Sequence, residues 1–115
     1  MRVTSEFWVA ALIRRISGAG GYAVIAKKGA AEAGSIFVTV RRPGGAVELF
    51  GPAPQTVYDS SKPEERAFAK MLEHADEPGI EASLLKERRF DEDLWIVEIE
   101  PGNTPARAFL NVTKP

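Results

Sequence analysis

The apolar positions near the start of the chain recur at helical spacing. Over residues 5–17 they fall within about 140° of one face when each residue advances by 100°. Thr4 or Ser5 can cap the helix, and the glycines of 18–21 end it. We predict a helix over 5–17, with one apolar face made of Trp8, Val9, Leu12, Ile13 and Ile16.

From Tyr22 onward the apolar positions alternate instead. The alternation covers residues 22–28 and resumes over 35–42, which is typical of strands. A Pro-Gly-Gly turn then leads to a third short run, 46–50. Short connections between consecutive strands predict an antiparallel meander, in which 22–28 and 35–42 form a hairpin.

The second half mixes both patterns. Residues 61–64 fit a capping box, and the helix they open is predicted to reach about Ala75. A second helix is predicted over 80–89, a central strand over 94–99, and a last strand over 106–112. The apolar face of the helix ending near Ala75 comprises Ala67, Phe68, Met71, Leu72 and Ala75.

The predicted element order is therefore α-β-β-β-α-α-β-β. Residues 1–115 are too few for more than one domain of ordinary size, so we expect a single globular domain. Alternating strands indicate a sheet with one face open to water. The prediction is an α+β fold, with an antiparallel sheet of about five strands and the helices packed on one face.

Composition excludes several classes of protein. The chain of 115 residues has no cysteine and one histidine, so disulfide frameworks, zinc fingers, iron–sulfur clusters and multi-histidine metal sites are ruled out. A net charge of −1 gives no global signal for nucleic acid. Neither glycine-rich segment, 18–21 or 29–34, lies between a strand and a helix as a phosphate loop does, so both are better explained as turns. We expect no cofactor and no bound metal.

An acid–base site is one alternative that the sequence leaves open. His74 could act as a general base, and Asp91 and Asp93 could project together near the end of the second predicted helix. The simpler interpretation is a solvated acidic turn in which an arginine–aspartate pair fixes the helix–strand junction. We therefore favour a protein without catalytic residues, and keep an enzyme built on this carboxylate cluster as an alternative.

Two arginine doublets support a second alternative. Arg14 and Arg15 end the first helix, and Arg41 and Arg42 end the second strand. Short connections bring both ends to the same rim of the sheet, where four guanidinium groups could bind an anion or a nucleic-acid backbone. The competing explanation is that these arginines end helices and strands and simply face water.

The leading hypothesis is a small binding or interaction domain of the cytoplasm with a protein partner. Residues 51–62 form a proline-stiffened loop suited to contact a partner. No apolar run approaches the length of a membrane span, so no membrane association is expected. An uncovered apolar sheet face would favour a homodimer. The candidate interaction residues of the loop are Pro52, Pro54, Gln55 and Tyr58.

Three segments together resemble a known family. They are residues 29–38, residues 49–55 and residues 88–95, the last reading Arg-Arg-Phe-Asp-Glu-Asp-Leu-Trp. The chain resembles, over nearly its whole length, a family of short bacterial proteins catalogued only as a domain of unknown function. The resemblance implies a free-standing bacterial cytoplasmic protein. It supplies no reaction, cofactor or catalytic residue.

Overall fold

The computed structural model describes residues 3–54 and 66–113, which fold as two helices and a six-stranded sheet with one short 3-10 turn. Thr4 caps the first helix by accepting a hydrogen bond from the Phe7 amide at 3.1 Å. The elements are α1 (Ser5–Gly18), β1 (Tyr22–Lys27), β2 (Ile36–Arg41), β3 (Val47–Pro52), β4 (Ala67–Ala75), α2 (Glu77–Phe90), β5 (Trp95–Glu100), the 3-10 turn (Ala106–Ala108) and β6 (Asn111–Val112).

The strands lie in the order β1-β5-β2-β3-β4-β6. The sheet is mixed, because β2 pairs with β5 and β4 pairs with β6 in parallel, while the other pairs are antiparallel. The predicted α+β class is confirmed, but the sheet has six strands rather than about five and is mixed rather than wholly antiparallel. The predicted hairpin of β1 with β2 is wrong, since β5 lies between them. The hairpin of β2 with β3 is confirmed.

The two helices cover opposite faces of the sheet. The buried face of α1 packs on one cluster, while Ile80 and Leu84 of α2 pack on the other with Phe37, Leu49 and Leu94. The prediction that the helices share one face is therefore wrong. The physical reason lies in β2, where five of the six residues are buried, so that this strand needs cover on both sides. The α1-side cluster contains Val9, Leu12, Ile16, Ile36, Val38, Val40, Phe50, Phe68, Trp95, Val97 and Ile99.

The predicted helix ending at Ala75 is wrong, because Ala67–Ala75 is strand β4. β4 pairs with β3 through two irregularities of register, so that Leu72 faces Leu49 and Ala75 faces Val47. Each bulge adds a residue to one strand and breaks the alternation of its side chains. Apolar residues three apart thus reach the same face, which imitates helical spacing. The capping box at residues 61–64 lies outside the described residues.

The remaining elements agree more closely with the prediction from the sequence. Asp76 caps α2 by accepting a hydrogen bond from the Gly79 amide at 2.9 Å, and β5 has a neighbour on each side, as predicted for a central strand. The last predicted strand, 106–112, is shorter than expected. Ala106–Ala108 forms the 3-10 turn and only Asn111–Val112 joins the sheet. In the described ranges, neither helix combines the length and the apolar character that a membrane crossing requires.

Candidate functional site

The arginines at the end of β2 are held on opposite faces of the sheet. Arg41 lies on the α2 side, where its Nε donates to Glu98 Oε1 at 2.7 Å and its guanidinium also pairs with Glu77 of α2. Arg42 lies on the α1 side, with its Nε 3.1 Å from Glu48 Oε1. Arg42 Nη1 also donates to two backbone carbonyls of the segment after β5, those of Gly102 and Thr104, at 3.2 and 2.6 Å.

Arg42 begins a row of alternating charges that crosses β3 and β4. Glu48 bridges Arg42 and Lys70, with its Oε2 3.0 Å from Lys70 Nζ. Lys70 Nζ also lies 3.2 Å from Glu73 Oε1 and sits over the Phe50 ring, 5.9 Å from the centroid. The row of Arg42, Glu48, Lys70 and Glu73, called here the charged row, is thus internally compensated.

The pKa values of three of these charged groups are shifted by the same ion pairs. Burial by itself would raise the pKa of Glu48, but hydrogen bonds from Lys70 and Arg42 lower it below its ordinary value. The pKa of Lys70 is raised, chiefly by its hydrogen bond to Glu48 and then by that to Glu73. On the other face, the hydrogen bond to Glu98 raises the pKa of Arg41. Each of these groups therefore stays charged at neutral pH.

Sequence reasoning missed Glu48 and Lys70. The available signal was the placing of one charge inside each of two apolar runs, since Glu48 stands between Val47 and Leu49. An isolated charge in such a strand either faces water or requires a partner. The partner of Glu48 is brought close only by the pairing of β3 with β4. The sequence predicted a helix where β4 lies, so this pairing was not foreseen.

A groove lies beside the charged row, on the part of the sheet that α1 leaves uncovered. Its floor is formed by β3 and β4, its wall by the segment from 105 to 113, and its volume is about 890 Å³. Its lining is mostly apolar with a charged rim. The described lining residues are Arg42, Glu48, Phe50, Pro54, Ala69, Lys70, Glu73, Pro105, Ala106, Arg107, Val112 and Thr113.

Arg14 and Arg15 lie at the end of the sheet where β2 ends, as the sequence predicted. The start of β1 pairs with the end of β5, and β5 runs parallel to β2. Both side chains are exposed, and Arg15 Nη2 donates to the Phe109 carbonyl at 3.0 Å. The sheet separates these side chains from Arg41, so the four guanidinium groups are not gathered in one place. Anion binding by these arginines stays a prediction.

The carboxylate cluster does not meet His74. The backbone of His74 lies near the start of α2, while Asp91 follows its end, and fourteen helical residues span about 21 Å. Asp91 Oδ1 accepts a hydrogen bond from the Asp93 amide at 2.9 Å, which closes the turn after the helix. Among the residues that the structure describes, no three histidine or acidic side chains are grouped to hold a metal.

Two segments that carry the family resemblance pack against each other. The Ala30 amide donates to the Asp93 carbonyl at 2.9 Å, and the Trp95 indole donates to the Ala30 carbonyl at 2.8 Å. A side chain at Gly29 or Gly34 would overlap that Asp93 carbonyl. These glycines therefore let the loop between β1 and β2 cross the start of β5, which is a structural role. Trp95 is buried, as predicted for a core residue.

The predicted interaction loop is described only at its start. Pro52 ends β3, and Pro54 lines the groove. Gln55 and Tyr58 lie outside the described residues. The proposed contact role of the loop stays a prediction, and its described part leads into the groove.

Solved structures of similar proteins come from two bacteria. The solution structure of protein Atu0922 from A. tumefaciens has 44% sequence identity and a TM-score of 0.85, and the match covers 100% of this chain and 98% of that one. A crystal structure of a DUF1491 family protein from Caulobacter crescentus CB15 has 35% identity and a TM-score of 0.76, covering 99% of this chain and 100% of that one. An NMR structure of a DUF1491 family protein from the same organism has 35% identity and a TM-score of 0.77, with 99% of each chain covered.

The family model agrees with these structures. No curated protein matches the chain. The model described as "Protein of unknown function (DUF1491)" matches residues 3–110. The resemblance drawn from the three sequence segments is thus confirmed, and the chain belongs to the DUF1491 family.

Proposed function

We propose that this chain is a binding domain that holds a segment of a partner protein in the groove beside the charged row. The observation that carries the proposal is the groove itself, a mostly apolar channel of about 890 Å³ over β3 and β4. Apolar concave surfaces with a few fixed polar groups are the usual binding sites of proteins. The described start of the loop predicted to contact a partner, at Pro54, lines this groove.

The charges of the rim define the chemistry of the partner. Glu48 pairs with both Arg42 and Lys70, and Glu73 also pairs with Lys70, so the two cations are balanced by two carboxylates. Arg107 lies exposed on the wall and forms no ion pair with any described residue. Among the described residues, the rim therefore has one cation without an ion-pair partner, Arg107, beside an apolar channel. A protein segment with an apolar side chain next to an acidic one complements this surface.

The same charges disfavour a nucleic acid as the partner. Phosphate contacts need cations that release counterions on binding, and a cation already paired with a carboxylate contributes little to that gain. Arg41 and Arg42 are both paired in this way. The binding of a protein segment is thus favoured over the anion site that the sequence left open.

The decisive experiment compares two charge reversals of the same kind. Tagged wild-type chain, Arg107→Glu and Arg14→Glu are used to capture partners from a bacterial lysate at low salt, with and without nuclease. Arg107 lines the groove, whereas Arg14 lies on α1, outside its lining, and both side chains are exposed. We expect a protein that survives nuclease, is retained by Arg14→Glu and is lost with Arg107→Glu.

Two results would overturn the proposal. One is capture of nucleic acid that disappears in Arg14→Glu or in an Arg41→Glu/Arg42→Glu variant, which would restore the arginine site. The other is a protein partner that binds wild type and Arg107→Glu equally, which would place the interface outside the groove.

A further inference from the structure

β1 is an outer strand of the sheet with unusually apolar exposed side chains. It pairs with β5 on one side, and in the described ranges no strand pairs with its other side. Tyr22, Val24 and Ile25 are 55%, 37% and 41% exposed. Outer strands present unpaired amides and carbonyls that can pair with another chain, so proteins usually protect them with charge, proline or a bulge.

That protection is weak along most of β1. Residues 22–26 include no charge and no proline. The first charged side chain, Lys27, turns back onto the sheet, where its Nζ donates to the carbonyls of Glu92 and Leu94 at 2.7 and 2.9 Å. The register shift between Ile25 and Lys27 affects only the last residues of the strand. Residues 22–25 thus remain open to pairing.

The faces of β1 are known from its neighbours. Ala23 packs against the cluster beneath α1, so alternation places Ile25 on that side and Tyr22 and Val24 on the other. The exposed apolar side chains therefore flank the open edge on both sides of the sheet. A partner that extends the sheet beyond β1 would cover both sides together.

Symmetry restricts how a second copy of β1 could pair here. A two-fold axis perpendicular to the sheet makes the strands antiparallel and keeps every residue on its own face. The two residues of each opposed pair must then both have even numbers or both have odd numbers. A register centred on Val24 opposes Val24 to itself and Ala23 to Ile25, and it sets Tyr22 against the irregular stretch that follows Ile25. Within the regular part of the strand, the large side chain of Ile25 thus meets the small one of Ala23.

We infer that two copies of this chain associate through β1, antiparallel and centred on Val24. Three features favour a second copy as the occupant of this edge. They are the size match across the axis, the absence of charge over residues 22–26 and the inward turn of Lys27. The pairing would join two six-stranded sheets into one continuous sheet. It leaves the groove free, because no residue of β1 lines the groove.

The test measures the molecular mass of the full-length chain by analytical ultracentrifugation from micromolar to millimolar concentration. We expect wild type to reach twice the chain mass of 12.5 kDa. Val24→Lys would place two like charges across the axis, so we expect a monomer at every concentration. Met71→Lys is the matched control, because Met71 is a 39%-exposed strand residue on β4, and it should dimerise like wild type.

A mixture tests the register itself. Val24→Glu alone should also be monomeric, but equal amounts of Val24→Glu and Val24→Lys should restore the dimer, since opposite charges then meet at the axis. Circular dichroism of each variant is the control for folding. A monomeric wild type, a Val24→Lys chain that still dimerises, or a mixture that stays monomeric would each overturn the inference.

Discussion

Replacing Glu48 with glutamine tests the charged row most sharply. The Glu48 side chain is only 14% exposed and bridges Arg42 at 3.1 Å and Lys70 at 3.0 Å. Glutamine keeps the shape and one carbonyl acceptor. It removes the negative charge that lies between the two cations, so that Arg42 loses its carboxylate partner and Lys70 keeps only Glu73.

The size of the effect follows from these contacts. A hydrogen bond to a charged group contributes about 1.5–3 kcal/mol when it is shielded from water. The Arg42 and Lys70 side chains are 21% and 37% exposed, which weakens both bonds. Because glutamine retains one acceptor, we expect Glu48→Gln to lower the free energy of unfolding by about 2 kcal/mol. For a chain of this length that corresponds to a Tm lower by about 8 °C.

The assay is equilibrium urea denaturation of wild type and Glu48→Gln across pH. The pKa of Glu48 is lower in the folded state than its ordinary value of 4.5, so its contribution is complete above that value and is lost as pH falls through the folded pKa. The difference between the two proteins should therefore be constant from pH 6 to 8 and shrink below pH 4.5.

The control is Glu6→Gln. Glu6 lies 3.7 Å from Lys28, and both side chains are more than half exposed. Its substitution should change the free energy of unfolding by less than about 0.5 kcal/mol. A cost of Glu48→Gln no larger than that of this control, or a cost unchanged at pH 2, would contradict the stabilising role of the Glu48 charge.

Three further substitutions test the fold. Gly29→Ala should cost about 1–3 kcal/mol in urea denaturation, because its methyl group would overlap the Asp93 carbonyl; an unchanged midpoint would contradict that close approach. Trp95→Phe should cost about 1–3 kcal/mol in thermal denaturation, since it removes the indole hydrogen bond to the Ala30 carbonyl and leaves that carbonyl only the longer bond from the Gly34 amide; an unchanged Tm would show the indole bond to be unimportant. Asp76→Ala removes the cap of α2 and should cost about 1 kcal/mol, measured by hydrogen exchange of the helix amides; unaltered exchange rates would contradict it.

Local elements could be predicted from the sequence because their signals are local. α1 has a cap, a single apolar face and terminal glycines, and it begins and ends within one residue of the prediction. The hairpin of β2 with β3 is marked by its Pro-Gly-Gly turn. β5 was recognised as central because it is apolar on both faces at its start.

Long-range pairing could not be predicted in the same way. Neither the alternation of β1 and β2 nor the shortness of their connection shows that β5 inserts between them. The signal lies in Gly29 and Gly34, whose lack of side chains admits the start of β5. β4 was missed because its bulges place Leu72 and Ala75 on one face, three residues apart.

The candidate site depends on those same long-range pairs. Arg42 was identified as a candidate from its position at the end of a strand, but its carboxylate partner was not. Glu48 and Lys70 come together only when β3 pairs with β4. The groove likewise exists because α1 covers one part of its face and the segment from 105 to 113 forms a wall over another.

Binding in the groove is tested most directly by amide hydrogen exchange of the wild-type chain, alone and bound to the protein that it captures. Binding in the groove predicts slower exchange in residues 69–73 and 106–113, with the exposed turns of α1 unchanged. Protection confined to the end of α1 near Arg14, or no change along the groove, would contradict the account.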